Sequence, residues 1–525
     1  MRIALAATVA VALLAVSSAG SATRPSSPAL IKLGLTRAVA AGRLTPGEAA
    51  GYRAEVARAQ VEARRLPPLR AKVLMGVLAD VAALRGSYTR PRALTLFSTL
   101  AVNTEWLATH VLGGSHPDLA GEDGAVYRWF WSHGYVFHPL ANFAKLNARA
   151  AAGDLEGTEE LAAALLARAV PSGKALLWEY EFPFASGRAP WTSGMAQAVA
   201  AQALARAGDL LSDAALLDSA DAAYEAVPGL LSSSSPAKPW IALYSFDRTP
   251  VLNAQLQAAL SVGDYAAISG DTAAAALATR LIAAAGALLP RFDTGYWSLY
   301  SLRGDVSPLD YHDYVIALLR KLATRTGDTG WSDVADRFRE YETQPPELKP
   351  GAPPPTLYPR PADGYRDEAP IRFWLSKRST VTLRVGKTVI AETLGHGEHT
   401  LVWAPRKAPA GVYHPRLAAV GPTGLRAEAK LPPLTVAHAP GPPPLTVTVT
   451  APATLSWESR GGGTPWLRLE VRLIQGGTVR TLELGRRGLA GTRHLRLPPG
   501  RWHATLFATN SAGKTRSASL GYLPR

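Results

Sequence analysis

The feature that most constrains this chain is a change of hydrophobic period across a proline-dense stretch. Between Thr343 and Pro361 stand Pro345-Pro346, Pro350, Pro353-Pro354-Pro355, Pro359 and Pro361. Proline lacks an amide donor and has a fixed φ, so this density predicts an extended, semi-rigid linker at 344–361. Before it, Pro46–Ala63, Leu155–Val170, Ser193–Ala207, Leu210–Val227, Thr272–Leu289 and Asp310–Thr324 are Ala/Leu-rich, with apolar residues three and four apart. Gly208 and Gly327 follow two of these runs and suit helix C-caps. After the linker, Arg372–Leu375, Thr380–Val385 and His399–Trp403 read as strands, several alternating with period two. Beyond a second break at Pro440–Pro444, Leu445–Thr450, Trp466–Leu473 and Trp502–Thr509 do the same. The helical runs predict a mainly α domain at 28–343, an α/α barrel or toroid, with a helical bundle as the simpler alternative. The strand-like runs predict two small all-β sandwiches of immunoglobulin or fibronectin type, at 362–439 and 445–525.

At 525 residues the chain exceeds one hydrophobic core, so two or three domains are expected. Arg2, the apolar run Ile3–Val16 and small residues up to Ala22 form the pattern of a secretory signal peptide at 1–22. The run is shorter than the ~20 residues that span a bilayer, and no later segment reads as a span. A secreted or cell-surface location without a transmembrane anchor after cleavage is therefore expected. Cysteine is absent, which excludes disulfides, thiolate catalysis and Cys-ligated zinc. Of 56 Lys and Arg against 41 Asp and Glu, 25 and 10 fall from Gln344 onward, so the C-terminal third carries the whole formal charge of +15. Basic exported modules favour anionic partners such as cell-wall polymers, acidic polysaccharides or lipid headgroups. No nucleic-acid motif is present, so nucleic acid is not an expected partner. No P-loop, dinucleotide fingerprint or H-E-x-x-H motif occurs either, and neither a cofactor nor a metal is expected.

Chemistry concentrates in Phe292-Asp-Thr-Gly-Tyr-Trp-Ser-Leu-Tyr300-Ser-Leu-Arg303 and in Asp310-Tyr311-His312. A polar-aromatic cluster of this kind is costly to bury unless its hydroxyls and charges find partners, so it reads as a lined cleft. Further blocks stand in order before it: Tyr135–Pro139 with Leu140–Phe143, Pro190–Gln197, Trp240–Tyr244, Val251-Leu-Asn253 and Gly263-Asp-Tyr265. Together, over about Tyr135 to Leu322, these blocks resemble the C-terminal catalytic domain of the D-glucuronyl C5-epimerases. Those enzymes invert C5 of uronic acid units in acidic polysaccharides.

The resemblance implies a cofactor-independent isomerase, similar to a heparosan-glucuronate 5-epimerase, with an acidic polysaccharide as substrate. It assigns Tyr311 and Tyr244 to proton transfer and Tyr300 to support between them. The residue types suit the task. A C5 hydrogen beside a carboxylate is a very weak acid, and inversion needs a base on one face and a proton donor on the other. Tyrosine can donate, and can accept where a cation lowers its pKa. Arg303 offers that cation and a bidentate grip on the substrate carboxylate, or else a structural salt bridge to Asp293 or Asp310. Asn253 and Gln197 are candidates for sugar hydroxyls or for loop ties. Trp191 and Trp297 suit sugar stacking or packing, and His312 reads as a substrate contact or a satisfied core histidine. One position departs from the family. An acid precedes the tyrosine that corresponds to Tyr244, and here that position is Leu243. Tyr244 itself or one of Glu179, Glu181 and Asp247 would then take its role, or the activity has changed. A lyase, which begins with the same proton abstraction, a hydrolase with two carboxylates, and a non-catalytic glycan-binding protein are the alternatives.

Overall fold

The computed structural model describes residues 26–523 except 233–237, 361–364, 439–444, 451–452, 460–465 and 511–514. The expected signal peptide at 1–22 lies outside the described residues. The chain divides into two units, 1–341 and 342–525.

The first unit is helical. Its helices are α1 (Ser27–Ala40), α2 (Pro46–Arg65), α3 (Pro68–Ala83), α4 (Arg90–Thr109), α5 (Pro139–Ala151), α6 (Leu155–Leu166), α7 (Gly194–Leu211), α8 (Ala214–Tyr224), α9 (Leu252–Ser269), α10 (Thr272–Leu288), α11 (Leu309–Thr326) and α12 (Gly330–Thr343). Short strands interrupt them: β1 (Leu119–Ala120), β2 (Val126–Phe130), β3 (Gly134–Phe137), β4 (Val170–Ser172), β5 (Ala175–Leu177), β6 (Leu231–Ser232) and β7 (Trp240–Ile241). Local chemistry sets many of the ends. Thr45 and Glu48 form a reciprocal capping box at α2, and Asp154, Asp213 and Asp271 accept first-turn N–H groups of α6, α8 and α10. Gly327 closes α11 in the left-handed region at φ 72°, as its position in the sequence suggests. Gly208 does not close a helix. It lies inside α7, where an added Cβ would stand 2.8 Å from Leu217, so its bareness lets α8 approach.

α1–α4 pack on one another around Leu35, Leu74, Leu78 and Phe97. The remainder forms consecutive helix pairs, α5 with α6, α7 with α8 and α9 with α10, while α5, α7, α9 and α11 lie side by side. α7 is buried on every side from Gly194 to Ala205, whereas α8 buries only the face carrying Leu216, Ala220, Ala223 and Tyr224. α7 and α9 thus form the buried middle of a row of inner helices that α5 and α11 flank. α10 corrects one expectation: with its following turn, Thr272–Phe292 has a mean hydropathy of 1.6 and is long and apolar enough to span a membrane. Here it buries Leu277, Leu281, Ala284 and Ala285 and packs on α9, and a buried core helix meets the same criterion.

Inner helices share a device. The fourth residue of α5, Asn142, accepts from Val126 N–H at 2.7 Å and donates to Val126 C=O at 2.9 Å. At the same place in α7, Gln197 accepts from Trp178 N–H (3.0 Å) and donates to Leu176 C=O (2.9 Å). In α9, Gln255 accepts from Ile241 N–H (2.8 Å) and donates to Pro239 C=O (3.1 Å). In α11 the fourth residue is His312, which meets Ser298 Oγ through Nδ1 and Phe338 C=O through Nε2. Each buried polar side chain clamps backbone that leads into or supports its helix.

The second unit is β. One core, with Ile371, Phe373, Leu383, Trp403, Leu417 and Leu434, lies among antiparallel sheets built from 369–375, 379–385, 388–394, 397–403, 416–420 and 426–430. The other, with Leu455, Trp457, Leu469, Val471, Trp502 and Leu506, lies between a three-stranded and a four-stranded antiparallel sheet. These are small, mostly antiparallel sheets, and the alternation of burial along Ala369–Leu375 shows the expected period. The proline-dense stretch is not a free linker. Leu348–Pro350 pairs with Phe373–Leu375, Thr356–Leu357 pairs with Thr435–Val436, and Leu357 is wholly buried. Proline is tolerated at such sheet edges because no ladder donor is needed there.

α12 is fastened by the His312–Phe338 bond, by Tyr341 OH donating to Asp293 Oδ1 at 2.9 Å, and by buried Trp331 and Phe338. A fragment 26–343 is expected to melt as one cooperative helical unit. One ending at Gly327 should melt well below it, since each large side chain removed forfeits ~1.5–3 kcal/mol of burial. Circular dichroism melts of the two fragments check this.

Candidate active site

The segments leading into α7, α9 and α11 are knitted together by backbone hydrogen bonds. Tyr180 N–H donates to Trp191 C=O (2.8 Å), Gly194 N–H to Ala242 C=O (3.0 Å), Ser245 N–H to Thr192 C=O (2.8 Å), and Leu252 N–H to Tyr300 C=O (3.2 Å). The loops they fix carry most of the aromatic residues that the sequence singled out.

Three tyrosines meet there. The rings of Tyr300 and Tyr311 are edge to face, with centroids 5.2 Å apart and planes at 87°. Tyr244 comes close enough to Tyr300 for each to act on the other's acidity and lies 5.5 Å from the Trp191 ring. Tyr300 therefore links the other two. Behind them Tyr180 stacks on Trp191 at 4.0 Å, and Tyr314, one turn beyond Tyr311 on α11, donates to Gln257 Oε1 at 2.7 Å. The three tyrosines are half-buried, as a lined cleft requires.

Burial dominates their acidity. It pushes Tyr244 up, with the Tyr300 hydrogen bond opposing and the Asp247 charge adding. Tyr300 is raised by burial and then by its two tyrosine neighbours. Tyr311 is pushed up to about 12, by burial first and then by Tyr244 and Asp310, with Arg128 opposing. All three phenols are neutral proton donors near neutral pH.

Arg128 is the residue that sequence reasoning missed. Alternation along β2 sends Phe130 against Phe182 and Trp129 against His116, while Arg128 comes close enough to Tyr180 and Tyr311 to act on both. Its Nε donates to Asp118 Oδ1 at 2.8 Å and its Nη2 to Asp118 Oδ2 at 2.6 Å. Burial works against its charge, but the Asp118 bonds and charge, with Tyr180 and Tyr311, outweigh that and raise its pKa. His138 is buried and pushed far down by that burial and then by Arg128, so it is neutral. The signal in the sequence was a lone arginine within Val126-Tyr-Arg-Trp-Phe-Trp131, a charge set among aromatics.

The other candidates divide. Arg303 does not pair with Asp293 or Asp310. Its Nη2 donates to Asp247 Oδ1 at 3.0 Å and its side chain is 65% exposed. Asn253 is buried as the second residue of α9. Trp191 is a wall: Tyr180 covers one face and its Nε1 donates to Phe182 C=O at 2.9 Å. Gln197 is a loop tie, with its amide engaged at both ends. His312 is a core histidine, fully buried, stacked on Trp297 at 3.8 Å and bonded through both ring nitrogens. Since the Phe338 carbonyl can only accept, Nε2 carries the proton and Nδ1 accepts from Ser298 in the neutral ring. Trp297 is also fully buried and donates to Ser307 C=O at 2.8 Å.

Carboxylates sort as sharply. Glu179 takes Arg92 in a bidentate pair at 2.8 and 2.9 Å. Glu181 is pushed well above the ordinary 4.5 by burial and then by Glu179. Neither enters the electrostatics of Tyr244, Tyr300 or Tyr311. Asp247 does. Burial raises it, but hydrogen bonds from Thr249 and the Arg303 charge outweigh this and bring it down. Asp310 is raised, chiefly by burial, and its Oδ2 is enclosed without a hydrogen-bond partner. No group of three or more His, Asp or Glu side chains able to hold a metal ion occurs among the described residues.

Residues 172–340 match the family model of the D-glucuronyl C5-epimerase C-terminus. The C5-epimerase match contains Tyr244, Tyr300 and Tyr311, while Arg128 precedes it. No curated protein matches the chain. Among solved structures, an endoglucanase from Komagataeibacter sucrofermentans is 16% identical, over 36% of this chain and 68% of its own, with a TM-score of 0.28. Fibronectin(III)-like modules of Clostridium thermocellum CbhA are 14% identical, over 34% of this chain and 94% of theirs, with a TM-score of 0.16. The FN1-FN3 domains of chicken CNTN1 are also 14% identical, over 34% of this chain and 68% of theirs, with a TM-score of 0.16.

Gln197→Ala leaves a buried N–H and a buried C=O without partners, at a cost of about 1–3 kcal/mol each. The expected result is a lower Tm in thermal unfolding, and an unchanged Tm would overturn the role of Gln197 as a loop tie.

Proposed function

We propose that the protein is a secreted, cofactor-independent C5-epimerase acting on uronic acid units of an acidic polysaccharide. The observation that carries this reading is the meeting of Tyr244, Tyr300 and Tyr311, drawn from three separate segments, within the span that matches the epimerase C-terminal family. In this reading Tyr311 and Tyr244 serve the two faces of the sugar ring, and Tyr300 relays between them. One phenolate abstracts the C5 proton, charge builds on the substrate carboxylate, and a neutral phenol returns a proton to the opposite face. Leu243, in the place of the family acid, leaves Tyr244 to act alone on its side.

An α/α toroid is part of the same proposal. Arg128, from before the arc of helix pairs, and Tyr311, from its last inner helix, act on each other at one cleft, which supports closure around it. Secretion rests on the signal pattern at 1–22, and binding of acidic polymer rests on the positive charge from Gln344 onward. One observation favours a second reading, a non-catalytic glycan-binding protein: Leu243 cannot do acid–base work.

Incubation with defined uronic acid oligosaccharides in deuterium oxide separates these. Deuterium at C5 supports the epimerase, an unsaturated uronate would mean a lyase, and binding without exchange the second reading. Tyr311→Phe should cut exchange ~10²–10⁴-fold with little change in Tm. Because the base form is a phenolate and Tyr311 sits at about 12, exchange should climb with pH through neutrality, ~10-fold per unit for a single ionisation. A flat profile from pH ~6 to ~9 would remove tyrosine as the base.

Full-length protein is further expected to bind polyanions more tightly than fragment 26–343, with a difference that shrinks as salt rises. Equal retention on an anionic polymer column would contradict this.

A further inference from the structure

We propose that Arg128 takes the carboxylate of the bound anionic sugar, and that the Asp118 carboxylate occupies that place until the sugar displaces it. The identity of the sugar as a uronate rests on the epimerase reading; the anion site itself rests on the following geometry.

Three observations lead here. First, Arg128 shares a face of β2 with Phe130, whose ring packs on Phe182 and on His138 beside Tyr180, and its charge acts on Tyr311 and Tyr180, whereas Arg303 is largely exposed and held by Asp247. Second, the fork of Arg128 already grips a carboxylate through two parallel bonds at 2.8 and 2.6 Å. Asp118 presents there the same functional group as a uronate, so the guanidinium is aligned for planar bidentate recognition. Third, Asp118 is lightly held. Its side chain is 37% exposed, it lies between α4 and β1, and its carboxylate accepts no other side-chain hydrogen bond among the described residues. Displacing it therefore exchanges one carboxylate for another at an unchanged arginine.

The placement also serves the reaction. In a uronate, C5 is bonded directly to the carboxylate carbon, so a carboxylate held at Arg128 fixes C5 one bond away from the gripped group. The four inner helices start at this cleft, and the positive ends of their dipoles add to the attraction for an anion. The resting pair keeps Arg128 neutralised while the cleft is empty, which avoids an uncompensated, mostly buried charge.

The test is titration of the full-length protein with a glucuronate-containing oligosaccharide and with the same oligosaccharide after reduction of its carboxyl groups to alcohols. Asp118→Asn removes the competing charge and should tighten binding of the carboxylated sugar ~10-fold. Arg128→Lys should weaken it at least ~10-fold, since a fork becomes a point charge. Neither change should affect the reduced sugar. The double variant Arg128→Gln/Asp118→Asn removes both charges together and keeps a hydrogen-bonding pair, so it guards against simple misfolding; it should lose the preference for the carboxylated sugar. Where exchange is measurable, Arg128→Lys should act mainly on KM, and the double variant should move the pH profile upward. Wild-type preference for the carboxylated sugar that survives in the double variant overturns the proposal and leaves the epimerase reading standing. Arg128-dependent binding with no C5 exchange upholds the anion site and sinks the epimerase reading. No preference for the carboxylated sugar in the wild type overturns both.

Discussion

The helical unit depends on a polar clamp at the fourth residue of each inner helix. Loops that run inward carry backbone N–H and C=O groups that water cannot reach, and each group left unmet costs about 1–3 kcal/mol. A side-chain amide is both donor and acceptor, so Asn142, Gln197 and Gln255 each satisfy one N–H and at least one C=O of the preceding segment. In α11 the imidazole of His312 does similar work between Ser298 and Phe338. Because the clamps recur at one helical position, irregular loops are held in register with one another as well as with their own helices.

That register brings the tyrosines together. Tyr244 leaves the loop tied by Gln255, Tyr300 leaves the loop hydrogen-bonded to Leu252, and Tyr311 adjoins the clamp residue of α11. A cleft made this way is aromatic and largely buried, so the phenols hold their protons and nearby charges act strongly. The charges are correspondingly paired: Arg128 with Asp118, Arg303 with Asp247, Arg92 with Glu179. Of these three arginines Arg128 joins the electrostatics of Tyr311, which gives the cleft a cation.

The β unit is held by simpler means. Strand alternation sends one face into each core, and positive charge is left on the exterior without a matching share of acids. Lys349 lies 4.8 Å from the Trp374 ring centroid and Arg472 lies 4.4 Å from that of Phe507, so part of this charge lies over aromatic rings.

Periodicity made the helical and β parts legible, because the 3.6- and 2-residue repeats are local properties of the chain. The resemblance to the C5-epimerase blocks pointed to Tyr244, Tyr300 and Tyr311. The proline-dense stretch was misjudged, since sequence shows that proline cannot donate to a ladder but not that an edge strand needs no donor there. Gln197, His312 and Trp297 were ambiguous for a related reason: an amide, an imidazole or an indole looks the same whether it meets sugar or backbone. Only the fold assigned them, by closing their hydrogen bonds within the protein. The choice of cation was likewise tertiary. Arg303 is near Tyr300 in sequence yet turns to Asp247, while Arg128, far earlier in the chain, reaches Tyr311 because β2 passes the cleft. Sequence proximity does not set electrostatic proximity; the packing of the loops does.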